Sequence, residues 1–239
     1  LGCDCLGEIH YFDATLLGWN GDPVTIENAI CMHEEDFGIL WKHFDLHANQ
    51  SEVRRSRRLV VSSIHTVGNY EYGFFWYLYL DGTIQFEVKL TGIVGVSAVE
   101  PGHHSETAQL IAPQLASPNH QHLFCVRLDF NLDGERNSVY EVDAIPEPVG
   151  STNPLGTVFR SVATPLRNER EAQRRSDPSR SRHWKVVNPE VSNRLGLPVA
   201  YKLLPQGSPL MLAHDDSAPA LRANFAKHHL WVTAYHPDE

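Results

Sequence analysis

Two β-prone runs joined by Asp81-Gly82 constrain this chain more than any other feature. Gly73 to Leu80 is aromatic and apolar, and Thr83 to Leu90 alternates Ile84, Phe86 and Val88 with Gln85, Glu87 and Lys89. Asp-Gly between such runs is the strongest short hairpin signal, because glycine readily takes the positive φ that a tight, correctly twisted turn requires. A period of two sends successive side chains to opposite faces, so one face of the second strand is expected buried and the other wet. The same pattern recurs at Arg58 to His65, at Thr91 to Val99 (broken by Gly92 and Gly95), at His122 to Phe130 and at Asn137 to Ala144. Later strands are expected at Trp184 to Val187, Val199 to Leu204 and His229 to Ala234. Helical signals are confined to Pro165 to Arg175 and Ala218 to Phe225. Many short strands with turn punctuation predict an all-β chain, a large antiparallel β-sandwich with few short helices.

Composition narrows the function. The chain has 239 residues, 42% of them hydrophobic, which is enough to build a core and too apolar for disorder. Twenty Lys and Arg stand against 29 Asp and Glu, for a net charge of −9, which argues against a dedicated nucleic-acid binder. The basic runs Arg54 to Arg58 and Arg167 to Arg182 have no interleaved aromatics and read as solvated. No uncharged apolar run approaches the roughly 20 residues of a membrane-spanning helix. The chain starts at Leu1 without a methionine, which leads to the expectation of a piece of something longer.

Four cysteines in this length are not a disulfide framework. Cys3-Asp4-Cys5 and Cys31-Met32-His33 leave three readings open: buried thiols, one disulfide from the first pair to Cys31, or a zinc site from Cys3, Cys5, Cys31 and His33. His120-Gln121-His122 is a stronger chemical signal. In extended backbone, residues two apart project to the same face, so both imidazoles reach one metal, and nitrogen donors suit copper, zinc or non-haem iron. The adjacent pairs His103-His104 and His228-His229 would point to opposite faces of a strand and make poor chelates. A cupin wants a Glu shortly after its paired histidines, and Leu123-Phe124-Cys125-Val126-Arg127 supplies none. Thr66 to Glu71 ends an apolar strand in a polar turn that carries Tyr70.

Several segments, in this order, closely resemble the copper-containing amine oxidases: Leu1 to Ile9, Asn28 to Asp36, Leu40 to His43, Thr66 to Gly73, Trp76 to Ile84 and His120 to His122. Asn188-Pro189-Glu190, Asn193-Arg194-Leu195 and Tyr201-Lys202-Leu203 continue the likeness over essentially the whole chain. The resemblance implies that Tyr70 is the precursor of topaquinone, formed by self-processing with bound Cu(II) and O2. It implies that Asn69 helps orient the quinone ring and that His120 and His122 are two of three copper ligands. It further implies a Cys5–Cys31 disulfide, with Cys3 and Cys125 left as thiols. Asp129 and the Phe130 carbonyl would belong to a peripheral site for Ca2+ or a similar cation, which prefers oxygen ligands.

The implied activity is oxidative deamination of primary amines. The amine attacks a quinone carbonyl, a base removes a proton from the substrate carbon, and the aldehyde is released. O2 then reoxidises the cofactor, yielding hydrogen peroxide and ammonia. The implied assembly is a homodimer embraced by arms, and residues 146 to 182 are a candidate arm. The family's catalytic base lies in a segment upstream of Leu1, and Tyr11-Phe12-Asp13 does not replace it. The third copper histidine lies beyond Glu239. The expectation is therefore an incomplete catalytic β-sandwich domain over residues 1 to 239, inactive as it stands. The competing reading is a catalytically inactive, truncated β-sandwich protein that keeps only the scaffold.

Overall fold

The computed structural model describes Cys5, residues 7–102 and residues 105–234. Cys3 and the His103-His104 pair lie outside them. The chain forms two compact units, Leu1–Asn119 and His120–Glu239.

The first unit is built on a five-stranded antiparallel meander of β1 (Ile9–Leu17), β2 (Pro23–Asp45), β3 (Gln50–Val67), β4 (Tyr70–Tyr79) and β5 (Ile84–Gly92), in that spatial order. Three shorter strands follow: β6 (Ser97–Ala98), β7 (Ala108–Ala112) and β8 (Leu115–Pro118), ordered β6-β8-β7. The second unit has a four-stranded antiparallel sheet made of β9 (Ser138–Pro146), β10 (Phe159–Pro165), β12 (His183–Ser192) and β13 (Pro198–Leu203), ordered β10-β9-β12-β13. β11 (Gln173–Arg174) pairs with β14 (Leu230–Trp231). A short α-helix, α1 (Ala218–Arg222), starts where the Ser217 hydroxyl accepts the Ala220 amide. The all-β, antiparallel expectation holds. Among the described residues no helix is long and apolar enough to cross a membrane.

The predicted hairpin forms between β4 and β5, with Leu78 opposite Ile84. Its turn is longer than two residues: Tyr79 N–H donates to the Thr83 carbonyl at 3.0 Å, and Gly82 takes φ +83°. The Asp81 carboxylate accepts the Thr83 amide at 2.9 Å, and these hydrogen bonds hold Asp81 below the usual carboxylate range.

The alternation on β5 holds in part: Phe86 and Val88 are half-buried and Gln85 and Lys89 exposed, but Glu87 is half-buried and Ile84 exposed. Val60, Tyr77 and Cys31, each at most 1% exposed, lie on the same face as Gln85, Glu87 and Lys89. The Phe86 face instead leaves Trp76 37% and Ile84 55% exposed. Glu87 can be half-buried on that face because its carboxylate is satisfied there. Tyr77 donates its hydroxyl proton to Glu87 at 2.6 Å, and the Lys89 ammonium sits 4.0 Å from the centre of the Phe75 ring.

Two more expectations fail for identifiable reasons. His122 to Phe130 joins no ladder, since β-prone sequence needs a neighbouring strand to become one. The segment after Pro165 is not helical. Asn168 caps a local turn there, its side chain accepting the Glu171 amide at 3.1 Å in competition with helix.

Residues 36–57 pair only with one another, since β1 leaves β2 at His33 and β4 leaves β3 at Arg58. They form a two-stranded ribbon tied by the Asp36–Arg55 ion pair, which holds Asp36 well below the usual carboxylate range. The 146–182 segment is bound more closely to its sheet. β10 pairs with β9 residue by residue, and Arg182 makes a fork of two 2.8 Å bonds to Asp143.

Candidate metal and cofactor residues

Tyr70 opens β4. Gly68 and Asn69 are the two loop residues between Val67 and Tyr70, which face each other across the β3–β4 ladder. Gly68 takes φ +64° as the first central residue, where glycine is needed for a turn that matches the strand twist. Thr66 donates its hydroxyl proton to the Glu71 carboxylate at 2.9 to 3.0 Å, pinning the residue after Tyr70. The Tyr70 side chain is half-buried, and its hydroxyl oxygen accepts the Gly95 amide at 2.9 Å. Asn69 is exposed, and its carbonyl accepts the Ile93 amide at 2.7 Å.

In the second unit the His120 and His122 rings stand side by side, with centroids 4.9 Å apart and planes at 73°. Gln121, between them in sequence, holds this segment. Its amide nitrogen donates to the Leu210 carbonyl at 3.1 Å, and its amide oxygen accepts the Leu212 N–H at 2.7 Å. A fixed backbone with two imidazoles side by side fits copper, whose divalent ion favours nitrogen donors.

Asp129 is exposed and belongs to no group of three close His, Cys, Asp or Glu side chains among the described residues. Phe130 is half-buried against Tyr201, with ring centroids 6.4 Å apart. The turn that follows is well held: Asn188 donates to the Leu132 and Asp133 carbonyls at 2.9 and 3.0 Å.

A cluster with metal-ligand chemistry lies elsewhere. The Cys5 and Cys31 sulfurs and a His33 ring nitrogen fall within 4.8 Å of one another. No S–S bond joins the two sulfurs in the structure. His33 bridges Cys31 Sγ at 3.5 Å to Glu35 at 3.0 Å, and Glu35 pairs with Arg58 at 2.8 Å. Burial alone would push Glu35 up. The hydrogen bonds from His33 and Arg58, with the Arg58 charge, outweigh burial and hold it below its ordinary value. The Arg58 guanidinium lies 3.8 Å from the centre of the Tyr77 ring. Burial, and then the bond to Glu87, hold the Tyr77 phenol well above its ordinary range. Sequence reading had weighed Cys5, Cys31 and His33 but missed Glu35, Arg58 and Tyr77. The i, i+2, i+4 spacing of Cys31, His33 and Glu35 was the available signal.

The comparisons with known proteins agree with one another. The family model "Copper amine oxidase, enzyme domain" matches residues 1–239. A histamine oxidase of Arthrobacter globiformis is 53% identical over 239 residues, covering 100% of this chain and 35% of that protein. A primary amine oxidase of Arthrobacter sp. (strain P1) is 51% identical, covering 98% of this chain and 36% of that protein. The crystal structure of a copper-containing benzylamine oxidase from Hansenula polymorpha superposes with a TM-score of 0.93. It is 34% identical, and the match covers 99% of this chain and 37% of that one. The chain spans about a third of the length of the relatives it matches.

Proposed function

Since the chain belongs to the copper amine oxidase family, we propose that the protein carrying it oxidises primary amines with O2, giving aldehyde, ammonia and hydrogen peroxide. The observation that carries this reading is the conjunction of Tyr70 in an Asn-Tyr-Glu hairpin turn with the paired, backbone-fixed His120 and His122. Copper and a quinone derived from Tyr70 would together supply the electrophile that takes up the amine and the route by which electrons pass to O2. His120 and His122 provide two nitrogen donors, and Gln121 keeps their backbone in register by its two amide bonds. Tyr70 is held at its hydroxyl by the Gly95 amide. Asn69, next in chain to Tyr70, is read as orienting the processed ring.

Three further assignments belong to the same reading. Cys5 and Cys31 form a disulfide on oxidation, since their sulfurs already lie within 4.8 Å of each other. Asp129 and the Phe130 carbonyl contribute to a peripheral oxygen-ligand cation site. The intact protein is a homodimer in which an arm, drawn from residues 146 to 182, embraces the second subunit.

The test is incubation of the full-length protein with Cu(II) in air, followed by quinone redox staining of the denatured chain. Stain in the wild type that vanishes in Tyr70→Phe is expected. Stain that persists in Tyr70→Phe, or is absent from copper-loaded wild type, would overturn the assignment.

A further inference from the structure

We infer that the segment from Gly92 to Gly95 is a backbone clamp that positions Tyr70 for processing, with Gly92 and Gly95 as positioning residues. The inference rests on the reading of Tyr70 as a cofactor precursor and adds what holds it. Gly92 faces Tyr70 across the β4–β5 ladder with φ +93°. A Cβ there would lie 2.5 Å from the Asn69 carbonyl oxygen, 2.8 Å from the Glu71 amide nitrogen and 3.1 Å from the Tyr70 Cα. All three are backbone atoms. No side chain can swing aside, so even a methyl group would push the Asn69-Tyr70-Glu71 segment itself.

One residue on, the Ile93 amide donates to the Asn69 carbonyl at 2.7 Å. Two residues further, the Gly95 amide donates to the Tyr70 hydroxyl oxygen at 2.9 Å, and a Cβ at Gly95 would lie 3.1 Å from that oxygen. The clamp therefore grips Tyr70 at both ends, backbone and phenol.

A segment whose role was only to end β5 would account for the first two contacts. It would not account for the third, which lies beyond the ladder: β5 stops at Gly92, and the next strand starts at Ser97. The Gly95 amide meets the phenol oxygen itself. Because the Gly95 amide that meets the phenol is a main-chain group, this contact follows from the course of the backbone and not from a rotamer. That is the pre-organisation a self-processing residue requires.

The experiment follows quinone formation in full-length apo-protein after Cu(II) and O2 are admitted. Redox staining and mass spectrometry of the Tyr70 peptide are read over time. Copper content, melting temperature and the tyrosine ultraviolet difference spectrum are measured on the same samples. Gly92→Ala is expected to bind copper and form no quinone. Gly95→Ala is expected to fold, bind copper as the wild type does, shift the Tyr70 component of the difference spectrum before processing, and form quinone about tenfold more slowly. Wild-type rates in folded, copper-loaded Gly92→Ala would overturn the clamp. Should Gly92→Ala not fold, Gly95→Ala decides: a wild-type rate with an unshifted spectrum overturns it. Failure of the wild type to form quinone at Tyr70 would sink the underlying reading instead, so the two failures are distinguishable.

Discussion

Tyr70 and the His120–His122 pair are held by opposite means. Tyr70 lies in a ladder, between Val67 on one side and Gly92 on the other, and main-chain atoms of Gly92 and Gly95 approach it closely. The two histidines lie in a segment that joins no strand among the described residues, and the side chain of Gln121 anchors it. A residue placed by register tolerates changes in nearby side chains but not in nearby glycines. A residue placed by one amide side chain depends on that side chain.

The most drastic test of the comparison is Tyr70→Phe. Quinone staining should vanish completely, while copper binding and melting temperature stay near wild type, because only a half-buried hydroxyl is lost. Next is His120→Ala. Copper content and quinone formation should both fall to background with little change in stability, since His120 is exposed and off the ladder. An unfolded His120→Ala would mean that the histidine segment is as structural as the tyrosine hairpin, and the contrast would collapse. Gln121→Ala should weaken copper binding by roughly 10- to 100-fold, as loss of a ligand-orienting contact does, measured by chelator competition. An unchanged affinity would show that the 210–212 segment does not hold the pair.

The smallest effect expected is on pH dependence, and it bears on both units. Glu35 in the first and Asp143 in the second are held below their ordinary values, Asp143 chiefly by its fork from Arg182. Each folded carboxyl binds protons less readily than its unfolded counterpart. Their stabilisation is complete above the ordinary carboxylate range and is lost as pH falls through it, from about 5 downward. Asp143→Asn should flatten the acid limb of a melting-temperature profile. An unchanged limb would show that Asp143 contributes nothing to acid stability.

Much of this was legible in local sequence. Asp81-Gly82 announced a hairpin, and the alternation after it announced a strand. His120-Gln121-His122 announced a pair of imidazoles, whose rings stand 4.9 Å apart. The helical signal at Ala218 to Phe225 is met by α1, Ala218–Arg222. The failures share a cause. Alternation shows that two faces differ but not how far each is covered: Gln85 and Lys89 are exposed as expected, yet Glu87 is half-buried on the face that carries Tyr77 and Val60. His122 to Phe130 has the composition of a strand, but composition cannot supply a partner. Arg58 lies 23 residues from Glu35, and only the β2–β3 register brings them together.

The sequence by itself determined the class, the hairpin turns and the chemistry on offer: a tyrosine in a glycine-led turn and two imidazoles in alternation. Those follow from φ preferences and the two-residue period, which act between neighbours in the chain. The tertiary structure alone decided which strands lie opposite each other. From that came the approach of Gly92 to the Tyr70 backbone, the chain of contacts from Cys31 to Tyr77, and the anchoring of Gln121 at Leu210 and Leu212. Contacts between residues tens of positions apart depend on register, and register is a property of the pair of strands, not of either one.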